Sequence, residues 1–283
     1  MELKKEFDIP WVAEFGDLWA GNDFNQNYLK KELLYPLGRL LESRIYRGEQ
    51  TIVKKADRVI VVHPHHKEWI SQHFVPPQNK VEVVTGGYSE SDFQDLRPNR
   101  LYSDKPTIVF LGSYYHQFKE SLRDFLKTVE ELDPEFEVAF IGRGSVYLDD
   151  SVPNLTRILH LPKPKAFSFA LGADFLFVVM PAYAKWTPGK TYEYLRLGKP
   201  ILALVPEDSD PAKIIRRAKA GFVLSHDVNK MKEQLKDIFD RWRTGNLTDF
   251  QPDRQYIAKF ERRKLAGRIA EIFDEVAESR VRK

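Results

Sequence analysis

A lysine and a glutamate three residues apart, Lys190 and Glu193, lie where the sequence predicts the first turns of a helix. Thr187 is predicted as the N-cap of this helix, Pro188 as its first residue and Gly198 as its C-cap. The start of a helix has N–H groups without helical partners and a positive partial charge, so it attracts anions. Lys190 adds a full positive charge that an anion would compensate, and Glu193 can accept hydrogen bonds from hydroxyl groups.

An apolar strand, Phe175–Val179, is predicted directly before this helix. In parallel α/β sheets, ligands bind beyond the carboxyl ends of the strands. There, a cation and a helix start suit a diphosphate and a carboxylate suits a ribose, which together favour a nucleotide-sugar site. The same pattern also fits an ordinary strand–loop–helix crossover in which Lys190 and Glu193 are solvated surface charges.

From about residue 105 onward, apolar segments alternate with segments of helical pattern. Most of the apolar segments are continuous runs, which is typical of strands buried on both faces under helices. The pattern predicts an α/β fold with a Rossmann-like, doubly wound parallel sheet over residues 107–248. The predicted strands are Thr107–Leu111, Glu137–Ile141, Thr156–Leu159, Phe175–Val179, Pro200–Val205 and Gly221–Leu224, and the predicted helices are Lys119–Leu132, Pro164–Leu171, Pro188–Leu197, Asp210–Lys219 and Val228–Trp242.

The first hundred residues contain too few predicted strands for an independent α/β domain of about 100–200 residues. We expect residues 1–98 to form a partial N-terminal domain and residues 99–106 to form a linker. Residues 249–283 are expected to contain one amphipathic helix over Gln255–Arg280. Within the N-terminal part, strands are predicted at residues 11–15, 58–62 and 80–84, and a long helical region from Asn27 to about Ala56.

Composition narrows the class of protein. The chain has 283 residues, with 44 Lys and Arg against 41 Asp and Glu, so its charge of +3 argues against a dedicated nucleic-acid binder. The chain has no cysteine, which excludes disulfides and thiol catalysis and fits a reducing compartment. The first residues lead into polar sequence, and no apolar run reaches the ~18–20 residues needed to span a bilayer. We expect a cytoplasmic protein.

The segment Thr187–Pro200 resembles the donor-site signature of family-4-type glycosyltransferases with the GT-B fold. That signature reads (Ser/Thr)-Pro-x-Lys-x-x-Glu-Tyr-Leu-x-x-Gly-Lys-Pro-(Ile/Val), and nearly every position is present here. Three segments of the N-terminal part are similar to the acceptor domain of the same enzymes: Val12–Trp19 with its Asp-x-Trp loop, Ala56–Val62 with its Ala-Asp-x-Val-Ile strand, and Gly86–Phe93, where Gly86 replaces the usual Asn.

The resemblance implies two Rossmann-like domains, with the acceptor in the first and the nucleotide sugar in the second, and a C-terminal helix that packs back on the N-terminal part. The first half of the acceptor domain has no counterpart in this sequence. We therefore expect a truncated chain, a start that lies further upstream, or a partner chain that completes the N-terminal domain.

The activity implied by the resemblance is hexosyl transfer from a nucleotide-diphosphate sugar to a hydroxyl of a glycan or lipid-linked acceptor of the cell envelope. Transfer would retain the anomeric configuration and need neither a metal ion nor another cofactor. The alternative is a non-catalytic subunit or remnant that binds a nucleotide sugar and needs a partner chain.

The resemblance assigns Lys190 to the charge on the leaving diphosphate and Glu193 to the ribose. Gly112 and Ser113 follow a predicted strand, where a small residue lets a backbone approach a phosphate closely, and Ser113 stands in the place of the family's usual Arg. From the residues alone, this loop is equally well a generic crossover. The remaining donor-binding candidates include Lys119, which stands near the family's usual lysine, and Thr187, Pro188 and Gly189 at the helix start. His160 is also a candidate, beside the nucleobase, although its residue type fits a packing or rim residue better than a catalyst.

Two positions bear on catalysis. Lys185 stands where the family has the first of its two glutamates, so the contacts of that glutamate with the sugar do not carry over. Asp17 is the candidate for orienting the acceptor hydroxyl, and with Lys190 it completes the catalytic set; an Asp that caps a loop is an equally good interpretation.

Three histidines, His63, His65 and His66, follow a predicted strand. Histidine is a common metal ligand, but no carboxylates are patterned here as further ligands and the chain has no thiols. We expect no metal site.

The region Tyr28–Lys55 carries seven basic residues against three acidic ones, interleaved with leucines. A helix that packs on its own domain and has a solvated basic face explains the pattern. It also fits peripheral attachment to an anionic membrane surface, to which each basic residue contributes about 1 kcal/mol. Such attachment would suit a transferase that acts on lipid-linked acceptors.

Overall fold

A computed structural model describes residues 4, 6–20, 35–144 and 154–281 of the chain. The elements, in chain order, are β1 (Val12–Phe15), α1 (Tyr35–Lys55), β2 (Arg58–Val61), α2 (Pro64–Phe74), β3 (Val81–Val83), β4 (Thr107–Leu111), α3 (Lys119–Leu132), β5 (Glu137–Ile141), β6 (Leu155–Ile158), α4 (Lys163–Gly172), β7 (Phe175–Val179), α5 (Gly189–Leu197), β8 (Ile201–Leu204), α6 (Asp210–Arg217), β9 (Gly221–Leu224), α7 (Val228–Arg243), α8 (Arg254–Ile257) and α9 (Arg262–Val281). Single 3-10 turns lie at Glu90–Phe93, His116–Phe118 and Ala258–Phe260.

The chain divides into two compact units. Unit 1 comprises residues 1–86 and 262–283, and unit 2 comprises residues 87–261. The sequence placed its boundaries at residues 98 and 248, inside unit 2. Residues near 99 belong to unit 2 because they are bonded there: the Asn99 N–H donates to the Ser168 carbonyl (2.9 Å), and the Arg100 guanidinium pairs with Asp174 (2.9 Å).

Unit 2 contains the doubly wound parallel sheet that the sequence predicts. Its strands lie in the order β6-β5-β4-β7-β8-β9, and all pairs are parallel. Successive residues of β4 enter opposite faces: Ile108 packs in one buried cluster and Val109 in the other. This two-sided burial explains the continuous apolar runs, since each strand must be apolar toward the helices on both faces.

The strand order creates a switch point between β4 and β7. The chain builds outward from β4 through β5 to β6, returns to β7 on the other side of β4, and then continues to β8 and β9. The loops that follow β4 and β7 therefore diverge, which opens a crevice at the carboxyl ends of these strands.

Unit 1 contains a three-stranded parallel sheet in the order β1-β2-β3. On one face, Val59 and Val61 pack in a buried cluster with Ile70 of α2. On the other face, Ile60 packs with Ile272 of α9. The last helix of the chain thus covers the second face of this sheet.

The prediction of a single amphipathic helix over Gln255–Arg280 is wrong. The chain forms α8, a 3-10 turn, an extended residue at Glu261 and then α9. Ile257 and Phe260 are buried in the core of unit 2, whereas Ile272 is buried in unit 1. The apolar spacing continues across the break although its residues are buried in two different cores, and Phe273, which also follows that spacing, is 53% exposed.

Within the described ranges, no helix is both long and apolar enough to cross a membrane.

The strand exits of β4 and β5 approach each other closely at Gly142. This residue has φ +153°, and a Cβ at that position would lie 1.8 Å from the Gly112 carbonyl oxygen. We expect Gly142→Ala to lower the free energy of unfolding by about 1–3 kcal/mol, measured by urea denaturation, because the backbone must move to admit the methyl group.

Gly267→Ala is the matched control for this substitution. Gly267 lies in α9, and a Cβ there meets no atom within 4 Å, so alanine should leave stability unchanged or raise it by roughly 0.5–1 kcal/mol. Equal stabilities of the Gly142→Ala and Gly267→Ala variants would contradict the close approach.

Candidate functional site

Two cavities open at the carboxyl edge of the six-stranded sheet, where the strand order predicts a crevice. The first cavity has a volume of about 520 Å³ and the second of about 430 Å³. Both are lined by Leu111, Gly112, Ser113 and Lys190, so these residues form the junction between the two cavities.

The junction is held in place by hydrogen bonds from two directions. The Leu111 N–H donates to the Tyr194 Oη (2.7 Å), and the Gly112 N–H donates to the Ile141 carbonyl (3.1 Å). Tyr194 is completely buried, and burial raises the pKa of its hydroxyl, so it stays neutral. The Gly112 amide is therefore engaged within the protein, and the hydroxyl-bearing residue at the junction is Ser113.

Helix α5 begins one residue later than the sequence predicts. Pro188, with ψ 138°, occupies the N-cap position, its carbonyl accepts the Thr191 N–H (2.9 Å), and the helix starts at Gly189. The prediction of Thr187 as N-cap is wrong because Pro188 is still extended. Gly198 ends the helix as predicted, with φ 70°.

Glu193 is a buried carboxylate between two lysines. Its side chain is 8% exposed; Oε1 lies 2.8 Å from the Lys163 Nζ and Oε2 lies 2.8 Å from the Lys190 Nζ. Lys163 also donates to the Asp92 carboxylate (2.6 Å). A buried carboxylate is costly unless it is paired and hydrogen-bonded, and here each oxygen has its own cation.

Phe167 forms an apolar support beneath both lysines. Their ammonium nitrogens lie 5.2 Å (Lys163) and 5.5 Å (Lys190) from the ring centroid, within the range of cation–π attraction. For Lys163, burial lowers the pKa, but the bonds to Asp92 and Glu193 outweigh burial and the pKa is raised overall. Lys163 is therefore firmly protonated.

Lys163 is a site residue that the sequence analysis missed. It is the first residue of α4, a helix that starts at the same sheet edge as α5. The signal was present: a cation in the first turn of a helix is unfavourable unless it is paired, which is the argument that singled out Lys190.

The second cavity gathers several of the predicted donor-binding residues. His160, Glu193 and Lys190 line it together with Lys163 and Arg143. Among the described residues of its lining, basic side chains outnumber acidic ones, which favours an anionic ligand.

Other predicted residues lie elsewhere. Pro188 lines the first cavity, Thr187 is buried, and Lys119 is exposed at the start of α3 and lines neither cavity. The charge of Lys185 is directed to Asp208, at 3.0 Å.

Asp17 belongs to unit 1, where it is exposed in the loop after β1. Glu49 of α1 holds this loop: its two carboxylate oxygens accept the N–H groups of Trp19 (2.6 Å) and Ala20 (3.0 Å). Burial raises the pKa of Glu49, and the two backbone N–H groups act in the opposite direction. Leu18 is fully buried, so the loop beside Asp17 is anchored by both backbone and side chain.

The three histidines are close neighbours in unit 1, with ring centroids 4.3 Å apart for His65 and His66 and 4.9 Å apart for His63 and His66. In the part of the chain that the structure describes, no group of three or more His, Cys, Asp or Glu side chains is arranged to hold a metal ion.

Solved structures share this architecture. WaaG, a glycosyltransferase involved in lipopolysaccharide biosynthesis, is similar at 14% identity with a TM-score of 0.68, over 96% of this chain and 80% of WaaG. Anabaena HepE in complex with UDP-glucose is similar at 10% identity with a TM-score of 0.64, over 96% of this chain and 74% of HepE. The chain has the GT-B fold.

A third structure with this fold is a glycosyltransferase from Rickettsia africae, at 11% identity with a TM-score of 0.61, over 98% of this chain and 79% of that one. No family model matches the chain. No curated protein matches it either. Structural similarity at identities this low shows the GT-B fold alone, and a fold does not by itself determine an activity.

The pairing of Glu193 with two lysines should contribute to the stability of the fold. Lys163→Met removes one of the two cations that pair with the buried Glu193, so we expect the free energy of unfolding to fall. The loss should be only about 1–2 kcal/mol, because Lys163 is partly exposed and solvent weakens the pair. Glu193→Gln removes the charge from the other side. In urea unfolding, the double variant should lose less than the sum of the single losses, with a coupling of about 0.5–3 kcal/mol.

Lys165→Met is the control, because Lys165 is exposed on the same helix. It should leave stability unchanged. Strictly additive losses in the cycle of Lys163 and Glu193 would argue against a shared ion pair.

Proposed function

We propose that this chain is a glycosyltransferase that moves a sugar from a nucleotide-diphosphate donor to a hydroxyl acceptor. The observation that carries the proposal is the place of Lys190: it lies at the start of α5, borders both cavities and is bonded to Glu193. An elongated ligand with a negative centre and two neutral ends matches two cavities that meet at a lysine.

The donor would occupy both cavities. Its diphosphate would lie at the junction, near Lys190 and Ser113, since an ammonium has three donors and Glu193 uses one of them. The ribose would be held by Glu193 in the second cavity, with the nucleobase beside His160. The transferred sugar would then lie in the first cavity. HepE, which is similar in fold, was solved with UDP-glucose.

In the transfer step, the bond between the anomeric carbon and the diphosphate oxygen would break while the acceptor oxygen bonds to that carbon, and the proton of the acceptor hydroxyl would pass to the leaving diphosphate. Negative charge grows on the leaving diphosphate. Lys190 and the positive end of α5 would stabilise that charge, and they are already in position before the reaction, which is where electrostatic stabilisation is most effective. Asp17 would orient the acceptor hydroxyl, and Lys119 would add positive charge near the donor.

The resemblance of Thr187–Pro200 to retaining, metal-independent enzymes supports the same properties here. We therefore propose retention of the anomeric configuration without a divalent ion. Dialysis against EDTA should leave turnover unchanged.

Helix α1 supports a proposal about the acceptor side. Arg44, Arg47, Lys54 and Lys55 are exposed on this helix, and Leu41 is exposed beside them. Exposed basic and apolar side chains on one helix suit attachment to an anionic membrane surface, where a lipid-linked glycan of the cell envelope would be met. Residues 28–34 of the basic region noted in the sequence lie outside the described residues.

Donor binding is the decisive test of the proposed function. Titration calorimetry with UDP-, GDP- and dTDP-sugars should show saturable binding to at least one of them. Lys190→Ala and Glu193→Ala should each weaken it about 10-fold or more, because each removes a charge-assisted bond worth about 1.5–3 kcal/mol. Lys165→Ala should bind as the unaltered protein does.

Absence of binding to every donor by the folded protein would refute the proposal. Binding without sugar transfer or donor hydrolysis would indicate the alternative, a non-catalytic subunit that binds a nucleotide sugar.

Membrane attachment is tested by sedimentation with vesicles of phosphatidylglycerol and phosphatidylcholine. Arg44→Gln combined with Arg47→Gln should weaken the binding free energy by up to about 2 kcal/mol, which lowers the fraction of protein that sediments with the vesicles. The matched control replaces the exposed Lys230 and Lys236 of α7 by Gln and should bind unchanged. Equal losses in the two double variants would mean nonspecific attraction.

A further inference from the structure

The first cavity and the second share the junction residues as part of their lining. Ser113 and Lys190 line both, so a donor with its diphosphate at the junction and its ribose at Glu193 has one direction left for its sugar. The chemistry of the first cavity therefore bears on which sugar this protein selects.

The wall of the first cavity is apolar and rigid. Phe110, Phe118 and Met180 are all buried and all face it, as does the half-buried Trp186. These side chains are held by the core: the Phe110 ring stacks on Phe140 at a centroid distance of 4.5 Å. The wall cannot rearrange easily to suit a polar ligand, because core rings pack at crystal density.

The hydrogen-bonding side chains of this cavity lie at its open side. Ser113, Tyr115, Gln117 and Lys190 offer polar groups, and the Tyr194 hydroxyl accepts the Leu111 N–H. Among the described residues that line the first cavity there is no Asp or Glu. Lys185, which precedes Trp186, is paired with Asp208.

An unsubstituted hexose carries a hydroxyl on most of its carbons. A hydroxyl placed against an apolar wall loses its water and gains no partner, which is unfavourable. A methyl group in the same place gains from burial. The first cavity therefore discriminates by what the sugar carries toward its wall.

We propose that the first cavity selects donor sugars that carry a methyl group, as 6-deoxyhexoses and N-acetylhexosamines do, over their fully hydroxylated counterparts. This inference rests on the proposed function, and it adds the substrate class. The methyl group would lie against Phe118 and Trp186, with the remaining hydroxyls toward Ser113 and Gln117.

The test uses matched donor pairs, which cancel any preference for the base. The pairs are UDP-glucose with UDP-N-acetylglucosamine, dTDP-glucose with dTDP-6-deoxyglucose, and GDP-mannose with GDP-6-deoxymannose. Titration calorimetry should give a dissociation constant about tenfold or more lower for the methyl-bearing member of a pair that binds. The N-acetyl and 6-deoxy arms show which position of the methyl group is accepted.

A single carboxylate introduced into the cavity should shift this preference. Gln117 is exposed and lines the cavity, so Gln117→Glu leaves the core intact while it supplies an acceptor for sugar hydroxyls. We expect the preference for the methyl-bearing donor to fall several-fold. Gln94→Glu, an isosteric change at an exposed residue elsewhere in unit 2, should leave the preference unchanged.

Titrations with the free nucleoside diphosphates separate the choice of sugar from donor binding itself. If free UDP, GDP or dTDP binds but the hydroxylated donor binds as well as its methyl-bearing partner, the selection is wrong and the donor site stands. If the diphosphates bind and neither sugar of a pair adds affinity, the first cavity takes no sugar. If no nucleotide binds at all, the proposed function is wrong and this inference falls with it.

Discussion

The site depends on one buried carboxylate that two lysines share. Glu193 brings a negative charge into the carboxyl edge of the sheet, and Lys163 and Lys190 compensate it from two different helices. Each lysine would be unfavourable in the first turn of its helix without that partner. The carboxylate thus fixes how the starts of α4 and α5 present their charges, and with them the border between the two cavities.

The strand exits provide the rigid frame for that ion cluster. Gly142 lets its loop approach the backbone of Gly112 more closely than a side chain would permit, and the Tyr194 hydroxyl holds the end of β4 from the side of α5. Hydrogen bonds of this kind leave few backbone groups for a ligand. Recognition in this part of the site is consequently left to side chains, which differ more readily among proteins of one fold than the backbone does.

The sequence predicted unit 2 well because its signals are local. A strand such as Phe175–Val179 is apolar toward both faces, and a helix such as α5 ends at a glycine that adopts φ 70°. The pairing of Lys163 with Glu193 was missed because the two residues lie thirty positions apart in the chain, and the place of Lys163 at a helix start does not identify its partner. The break at Glu261 was missed for a related reason: apolar spacing records that residues are buried, not which core buries them.

The placement of α9 has a consequence for the order in which the molecule is built. Unit 2 is inserted within unit 1, and its two ends are tied together by the pairing of Tyr88 with Glu261. During synthesis, all of unit 2 is made before α9. The burial of Ile60 on its face of the first sheet depends on Ile272 of α9, whereas the core of unit 2 needs no residue of α9. Every residue of the candidate donor site is therefore synthesised before the helix that covers the second face of the first sheet.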